Sequence, residues 1–479
     1  MPMLDRRFYW SIVMLRIGLY VFLHFSMGLA GSGLLGKQGG DTTSYFLPID
    51  NLFEHGHYTY LLHYLPAYAG RMPGYGAVYG LVYLLLPKEW IYTTIILLQM
   101  TLACIALYYL GRLTLVITRR KLVAYIAMLG WAISPFAAQA DMYLLTESFA
   151  ASALVLALWF LVKGLSSGSL SAILIAGMWT AWLVFLRPML SLVPLIWVMT
   201  IFWHTTHYAS SQNRQILLQL LLLVLPLATI EIAWTSRNYL VYSRLIPLQF
   251  DNWAGNKVPA SYRAAMYYAA AVGDEPVPWN MNSIMGWMIS THAPADNLLL
   301  KDTWRLVPPA SADSLIWARQ QFRLIHLEKT DSSSRDAQLA AALTRWEVAS
   351  QHKRPLLYYC VAPARLLYYL TIAHGASGLF AWPYEEMSQW QRLLRWFFAL
   401  LHLGIVSCSL WGLATWSSSS LSLKLARFPL AFVLILLVLV FRQVESRYFA
   451  PVYPLAILVA SGWLSTKFRS PDLALNKRN

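Results

Sequence analysis

Ionisable side chains stand where apolar runs of this chain begin and end: Asp41, Arg71, Asp141, Glu147, Arg187, Glu231, Arg237, Glu445 and Arg447. Carboxylates and guanidiniums gathered at one level can bind an anionic group and move a proton beside it. The guanidinium fork matches a phosphate, and a carboxylate within hydrogen-bond reach can take a hydroxyl proton. Arg187 stands out because only Pro188 separates the apolar runs on either side. Arg447 is followed directly by Tyr448-Phe449-Ala450-Pro451, already leading into an apolar run. For each residue alone, a solvated helix end is the plainer alternative. Glu147 could complement a helix N-terminus, and Arg187 could bridge to a carbonyl or carboxylate.

Other chemical patterns are weak or missing. His55, His57 and His63 have spacings that could ligate a metal, although loop histidines are more often solvated. Cys104, Cys360 and Cys408 are too scattered for a disulfide framework or a metal cluster. Gly74, Gly76 and Gly80 do not make a dinucleotide loop, because no strand precedes them; Gly76 and Gly80 read as a small-residue packing face. HExxH and CxxC are absent.

Composition says what must position these groups. Hydrophobic residues make up 58% of the 479 residues and charged ones only 12%, against about 25% charged in a soluble domain. The 21 Trp and 28 Tyr suit rings seated at membrane interfaces. The net charge of +15 is spread over the ends of apolar runs, with no basic face, so anionic lipid is the expected partner and nucleic acid is not.

A span needs about 20 mostly apolar residues, and positive charge marks the cytoplasmic side. These rules give about ten spans: 9–30, 91–117, 122–138, 148–162, 170–186, 189–203, 216–234, 393–416, 428–441 and 449–464. Residues 9–30 are too long for a signal-peptide core and read as an uncleaved first helix, despite the small residues Ala30-Gly31-Ser32-Gly33. Residues 73–87 are apolar but short, and read as a re-entrant or juxtamembrane helix. Both termini fall on the cytoplasmic side, the tail with Lys467, Arg469, Lys477 and Arg478. The expected fold is an all-α polytopic membrane protein in three regions: 1–242, with the first external loop 31–72; an external loop region 243–390; and C-terminal spans with a cytoplasmic tail, 391–479. Within the external region, 315–327 and 337–348 have helical periodicity, and 354–370, with its tyrosines around Arg365, reads as an interfacial amphipathic helix.

The same residues carry a resemblance. Gly40-Asp41-Thr42-Thr43-Ser44-Tyr45 follows the first span, and Gly70-Arg71-Met72-Pro73-Gly74-Tyr75 comes about 30 residues later. Leu145-Thr146-Glu147-Ser148 opens a span, and Phe185-Leu186-Arg187-Pro188 lies between two. Trp234-Thr235-Ser236-Arg237-Asn238-Tyr239 precedes the long loop, and Glu445-Ser446-Arg447-Tyr448-Phe449-Ala450-Pro451 begins the last span. In this order the set resembles the GT-C glycosyltransferases, nearest the bacterial protein O-mannosyltransferase and aminoarabinose transferase branch (glycosyltransferase family 39-like). The resemblance covers residues 1–242 and the last span.

It implies transfer of a sugar from a polyprenyl-phosphate donor to a lipid, glycan or protein acceptor, outside the cytoplasm and in the bacterial inner membrane. It places the catalytic acid at Asp41 and a second acid at Glu147. Tyr45, Arg71, Arg187, Arg237, Arg447 and Tyr448 become the substrate-binding candidates. A divalent metal is the only cofactor it suggests. Many relatives carry two adjacent acids where Asp41 is followed by Thr42, which counts against a metal ligand set. An O-antigen-type polymerase or ligase using diphosphate-linked glycans is the main alternative, and the carboxylate directly after the first span argues against it. A transporter or flippase would show paired halves with broken helices, and the sequence has no such internal symmetry.

The topology is testable. In a cysteine-free background, His57→Cys should react with a membrane-impermeant maleimide from outside, and Ser210→Cys only after permeabilisation. The reverse pattern would overturn the orientation.

Overall fold

The computed structural model describes residues 4–29, 35–63, 65–208, 213–249, 259–277, 280, 283–289, 312–327, 332–415, 420–442 and 444–467. The small-residue stretch at 30–33, the tail charges beyond Lys467 and most of the Ser417–Ser420 run lie outside these. Among the described residues all regular elements are helical, with one isolated parallel bridge between Lys37 and Tyr143.

The helices run α1 (Arg6–Ser26), α2 (Thr42–His55), α3 (Gly74–Leu85), α4 (Lys88–Thr118), α5 (Lys121–Ala132), α6 (Pro135–Met142), α7 (Glu147–Ser167), α8 (Leu170–Leu186), α9 (Leu192–Tyr208) and α10 (Asn213–Tyr242). They continue as α11 (Ala260–Ala271), α12 (Ile284–Ile289), α13 (Ala312–Leu327), α14 (Ser332–Lys353), α15 (Ala362–Thr371), α16 (Gln389–Ala414), α17 (Leu421–Ile435), α18 (Ser446–Phe449) and α19 (Tyr453–Lys467).

Each of the ten expected spans falls on helix. Eight helical stretches are at least 18 residues long and apolar enough to cross a membrane. The ninth, α5 with α6, is bent by 52° at its break, and α8 is a shorter apolar helix of 17 residues. The protein is an all-helical, multi-pass membrane protein. With 12 residues, α3 reaches only about 18 Å at 1.5 Å per residue, well short of a 30 Å hydrocarbon core. It packs on α2 through its glycines: a Cβ on Gly76 would lie 3.1 Å from Ile49 and one on Gly80 3.3 Å from it.

Packing divides the chain into two compact units, Met1–Asn256 with Gly375–Ala431 and Ala450–Asn479, and Lys257–His374 with Phe432–Phe449. In the first, α7 is the central helix, packed by α4, α8 and α19. Its apolar window is 83% buried, whereas that of the α10 span is 11% buried and faces outward. Along α1, Trp10, Met14, Ile17, Val21 and Phe25 are exposed, as lipid-facing side chains should be.

The second unit is a helical cluster around Tyr268, Trp287, Phe322, Leu339 and Leu343, contributed by α11 to α14. The expected helices at 315–327 and 337–348 fall on α13 and α14. Asp336 accepts from the amides of Ala260 and Ser261, satisfying the first donors of α11. The expected interfacial helix at 354–370 contains a π-turn at Leu357–Val361 and then α15, with Leu356, Tyr359, Val361 and Tyr368 exposed.

The break between α5 and α6 frees carbonyls that water cannot reach at membrane depth. Arg16, a charge inside the first span, answers them. Its Nη1 donates to Trp131 O at 2.8 Å and Ala132 O at 3.1 Å, and its Nη2 pairs with Asp141 at 2.5 Å. Asp141 also accepts from the hydroxyls of Tyr20 at 2.5 Å and Ser148 at 2.6 Å. Asp141, one of the sequence candidates for an external-facing level, is thus turned inward and satisfied.

Removing one partner of a buried pair costs about 3–5 kcal/mol, because the other charge is stranded. Asp141→Leu should therefore lower the thermal midpoint in detergent sharply. Arg16→Met together with Asp141→Leu should recover part of the loss, and a double variant no better than the single one would contradict this account.

Candidate active site

Hydrogen bonds bring the loop that follows α1 against the start of α7. Lys37 N donates to Met142 O at 2.8 Å, Leu144 N to Lys37 O at 3.0 Å, and Thr42 Oγ1 to Leu144 O at 2.9 Å. Gln99 Nε2 bonds the carbonyls of Asp141 and Tyr143 at 2.9 and 2.8 Å. Asp41, just before α2, and Glu147, the first residue of α7, therefore sit at the ends of two strapped segments.

Asp41 is the N-cap residue of α2, yet its carboxylate makes no capping bond. It faces Arg71 Nη2 at 3.4 Å. Arg71 donates from Nε to Ser44 Oγ at 3.0 Å and lies 4.5 Å over the Tyr45 ring. The Asp41 side chain keeps 30% of its surface exposed and Arg71 17%. This pair has a fixed geometry and remains open to a ligand.

The Glu147–Arg187 pair is different. Its side chains are 4% and 9% exposed, and their ion pair is closed. Arg187 lies in the extended break after α8, before the short turn Pro188–Leu190. Gly74 at the start of α3 abuts this break: a Cβ there would lie 2.4 Å from Phe185 C and O. Trp182 Nε1 donates to Gly74 O at 3.0 Å. Tyr75 links the two pairs, with its ring 5.5 Å from Tyr45, its hydroxyl on Gln99 at 2.7 Å, and Glu147 within electrostatic range.

Arg237 is used by the loop itself. It donates to Tyr58 O at 2.7 Å, to Tyr68 O, and to Asn238 Oδ1 at 2.9 Å, and it lies 5.0 Å over Trp234. Glu231, another sequence candidate, accepts from Leu248 N at 2.7 Å and from Thr235 at 3.1 Å, which fixes the chain after α10. Arg447 and Tyr448 belong to the second unit, where Arg447 Nε is 2.5 Å from Glu445 and its guanidinium 5.6 Å from the Tyr448 ring.

One residue the sequence reading passed over stands with the first pair. The Tyr58 hydroxyl is buried and makes no hydrogen bond among the described residues. Burial above all holds this phenol above its ordinary range, while Arg237 and Arg71 pull it the other way. A phenolic donor in the field of two guanidiniums suits an anionic oxygen. The only hint in the sequence was an aromatic residue beside His57.

Among the described residues no three His, Cys, Asp or Glu side chains gather as a metal-binding group. His57 packs its ring against Tyr68 at 5.8 Å. The acid best placed for a metal, Asp41, faces a guanidinium. These residues do not fit a divalent ion, and no step is routed through one.

No protein-family model and no curated protein sequence matches the chain. Among solved structures, the archaeal oligosaccharyltransferase AglB from Archaeoglobus fulgidus, in complex with an inhibitory peptide and a dolichol-phosphate, is similar over 98% of this chain, at 14% identity and a TM-score of 0.42. The chain spans about half of that protein, 51% of its length. ArnT from Cupriavidus metallidurans bound to undecaprenyl phosphate is similar over 95% of this chain and 77% of its own length, at 11% identity and a TM-score of 0.37.

The loop's dependence on Arg237 can be measured. Arg237→Met should raise amide hydrogen exchange across 57–69 while leaving the spans protected. Unchanged exchange in that segment would remove Arg237 from this role.

Proposed function

We propose that the chain is a GT-C-type membrane glycosyltransferase that moves a sugar from a polyprenyl-phosphate donor to an acceptor on the extracytoplasmic side of a bacterial inner membrane. The observation that carries this reading is the Asp41–Arg71 pair: an acid and a guanidinium 3.4 Å apart, backed by Tyr45 and open to solvent. The ordered short motifs, set at the ends of apolar helices, support it.

The donor is already activated, since its leaving group is a phosphate. The protein must deprotonate an acceptor and steady phosphate charge. In the proposed step the acceptor hydroxyl gives its proton to Asp41 while its oxygen bonds the anomeric carbon. The bond from that carbon to the phosphate oxygen breaks, and its electron pair stays on the phosphate. Arg71 stands beside that charge, and the buried Tyr58 hydroxyl is a second donor for it. Arg187 is a further candidate phosphate ligand. Glu147, held by Arg187, helps position the acceptor or the donor sugar. Arg237 shapes the loop that presents Tyr58.

The test is release of free polyprenyl phosphate from a panel of polyprenyl-phosphate sugars in membranes. Loss of a general base costs about 10²–10⁴ in rate. Asp41→Asn should therefore cut release by at least about 100-fold. Release that survives the substitution would keep the reaction class and remove Asp41 as base. Turnover of a diphosphate-linked glycan alone would move the reading to a polymerase or ligase.

A further inference from the structure

Four charges stand together where α16, an outward-facing span of the first unit, begins: Glu385 and Glu386 in the short turn Tyr384–Glu386, and Arg392 and Arg395 in the first turns of the helix. Just along α16, Leu393, Phe397 and Leu400 are more than half exposed and form one stripe at helical spacing. Trp382, Trp390 and Trp396 are also more than half exposed. Indoles gathered at the end of an apolar helix mark the depth of lipid headgroups. The charges therefore sit at headgroup level, with a hydrocarbon-facing stripe directly beside them.

The arginines are held in place. Ser388 N donates to Gln391 Oε1 at 2.8 Å and closes the start of the helix. Arg392 Nη2 donates to Glu385 O at 2.7 Å, which ties the helix back to the turn. Arg392 and Arg395, three residues apart on one helix face, have their guanidiniums 5.2 and 5.4 Å from the centroid of the Tyr384 ring. Trp396 Nε1 donates to the Tyr384 hydroxyl at 3.1 Å and fixes that ring.

These groups are not spent on one another. Beyond the Glu385 carbonyl and a 3.9 Å contact of Arg395 Nη1 with the Met387 sulfur, neither guanidinium makes a hydrogen bond among the described residues. Most of their N–H donors remain for a ligand. Glu385 and Glu386 are exposed, and among the described residues neither forms an ion pair.

Two positive and two negative charges cancel, so a bare anion gains from the arginines and loses to the glutamates. A zwitterion gains from both, provided its cation carries N–H donors for the carboxylates. We propose that this patch binds phosphatidylethanolamine, with its phosphate on Arg392 and Arg395, its ammonium on Glu385 and Glu386, and an acyl chain along Leu393, Phe397 and Leu400. Phosphatidylcholine has the same charges, but its quaternary ammonium has no N–H to donate. Phosphatidylglycerol has the phosphate and no ammonium. The site does not depend on the transferase reading.

The test is titration of the delipidated full chain with dioleoyl phosphatidylethanolamine, phosphatidylcholine or phosphatidylglycerol, with the Kd of the first bound lipid read by native mass spectrometry. Phosphatidylethanolamine should bind more tightly than either other lipid by about threefold or more. Arg392→Gln with Arg395→Gln should weaken it by about tenfold or more, the effect of losing hydrogen bonds to a charged group. Glu385→Gln with Glu386→Gln should weaken it by about threefold and make phosphatidylglycerol the preferred lipid. Arg6→Gln with Arg7→Gln, which removes an exposed arginine pair at the start of α1, should change nothing.

Phosphatidylcholine binding as tightly as phosphatidylethanolamine would overturn the proposal, as would phosphatidylglycerol preferred by the native chain. An equal loss in the Arg6 and Arg7 variant would reduce the effect to net charge and overturn it too. Tighter binding of undecaprenyl phosphate, weakened by the same Arg392 and Arg395 variant, would assign the guanidiniums to a polyprenyl phosphate instead. If the arginine variant does not fold, the glutamate variant decides: an unchanged order of lipids overturns the site.

Discussion

The ion pair between Arg16 and Asp141 is the constraint from which the rest of the first unit follows. Two opposite charges lie inside apolar helices, where each alone would be expensive. They are tolerated because the chain breaks at Ser134 and leaves carbonyls that need a donor. Arg16 supplies the donor and Asp141 the countercharge. Once Asp141 is held, the next residues are fixed too: Gln99 and Lys37 bond their backbone, and Ser148 ties Asp141 to the start of α7. The broken helix, the loop that follows α1 and the central helix are thereby joined before any candidate site residue is reached.

Two further ion pairs use the same chemistry to different ends. Glu147 and Arg187 are shut away from solvent, and such a pair gives a specific geometry more than net stability. Asp41 and Arg71 are longer, wetter and backed by a ring. An open pair can exchange one partner for a ligand oxygen at lower cost than a closed one.

The spans were legible because each is a long apolar run, and charge at their ends gave their order. Asp41 and Arg71 were legible as end-of-span charges. Their contact was not, since 30 residues separate them and no local pattern links positions 41 and 71. Arg16 escaped notice because one charge scarcely alters the hydropathy of a window of about 20 residues. Asp141 looked like a partner of the external charges, but its true partner is that overlooked arginine. Glu231 and Arg237 stood at the expected end of a span, whereas α10 runs on to Tyr242, and the sequence could not show that both are used to fix loop backbone. Tyr58 was invisible because a phenol in an aromatic-rich chain carries no signal until its neighbours are known.

The contact at Gly74 has a mechanical consequence. The start of α3 is pinned, with Phe185 backbone against its Cα and Trp182 bonded to its carbonyl. The far end, at Leu84 and Leu85, is exposed. A helix held at one end, packed on Ile49 through its middle and carrying its most exposed leucines in its last turn behaves as a lever with its fulcrum at the fixed end. When the bilayer thins or thickens, the free end travels furthest and the fulcrum hardly moves. Arg71 lies three residues from that fulcrum, so its position beside Asp41 is insulated from fluctuations of the surrounding lipid.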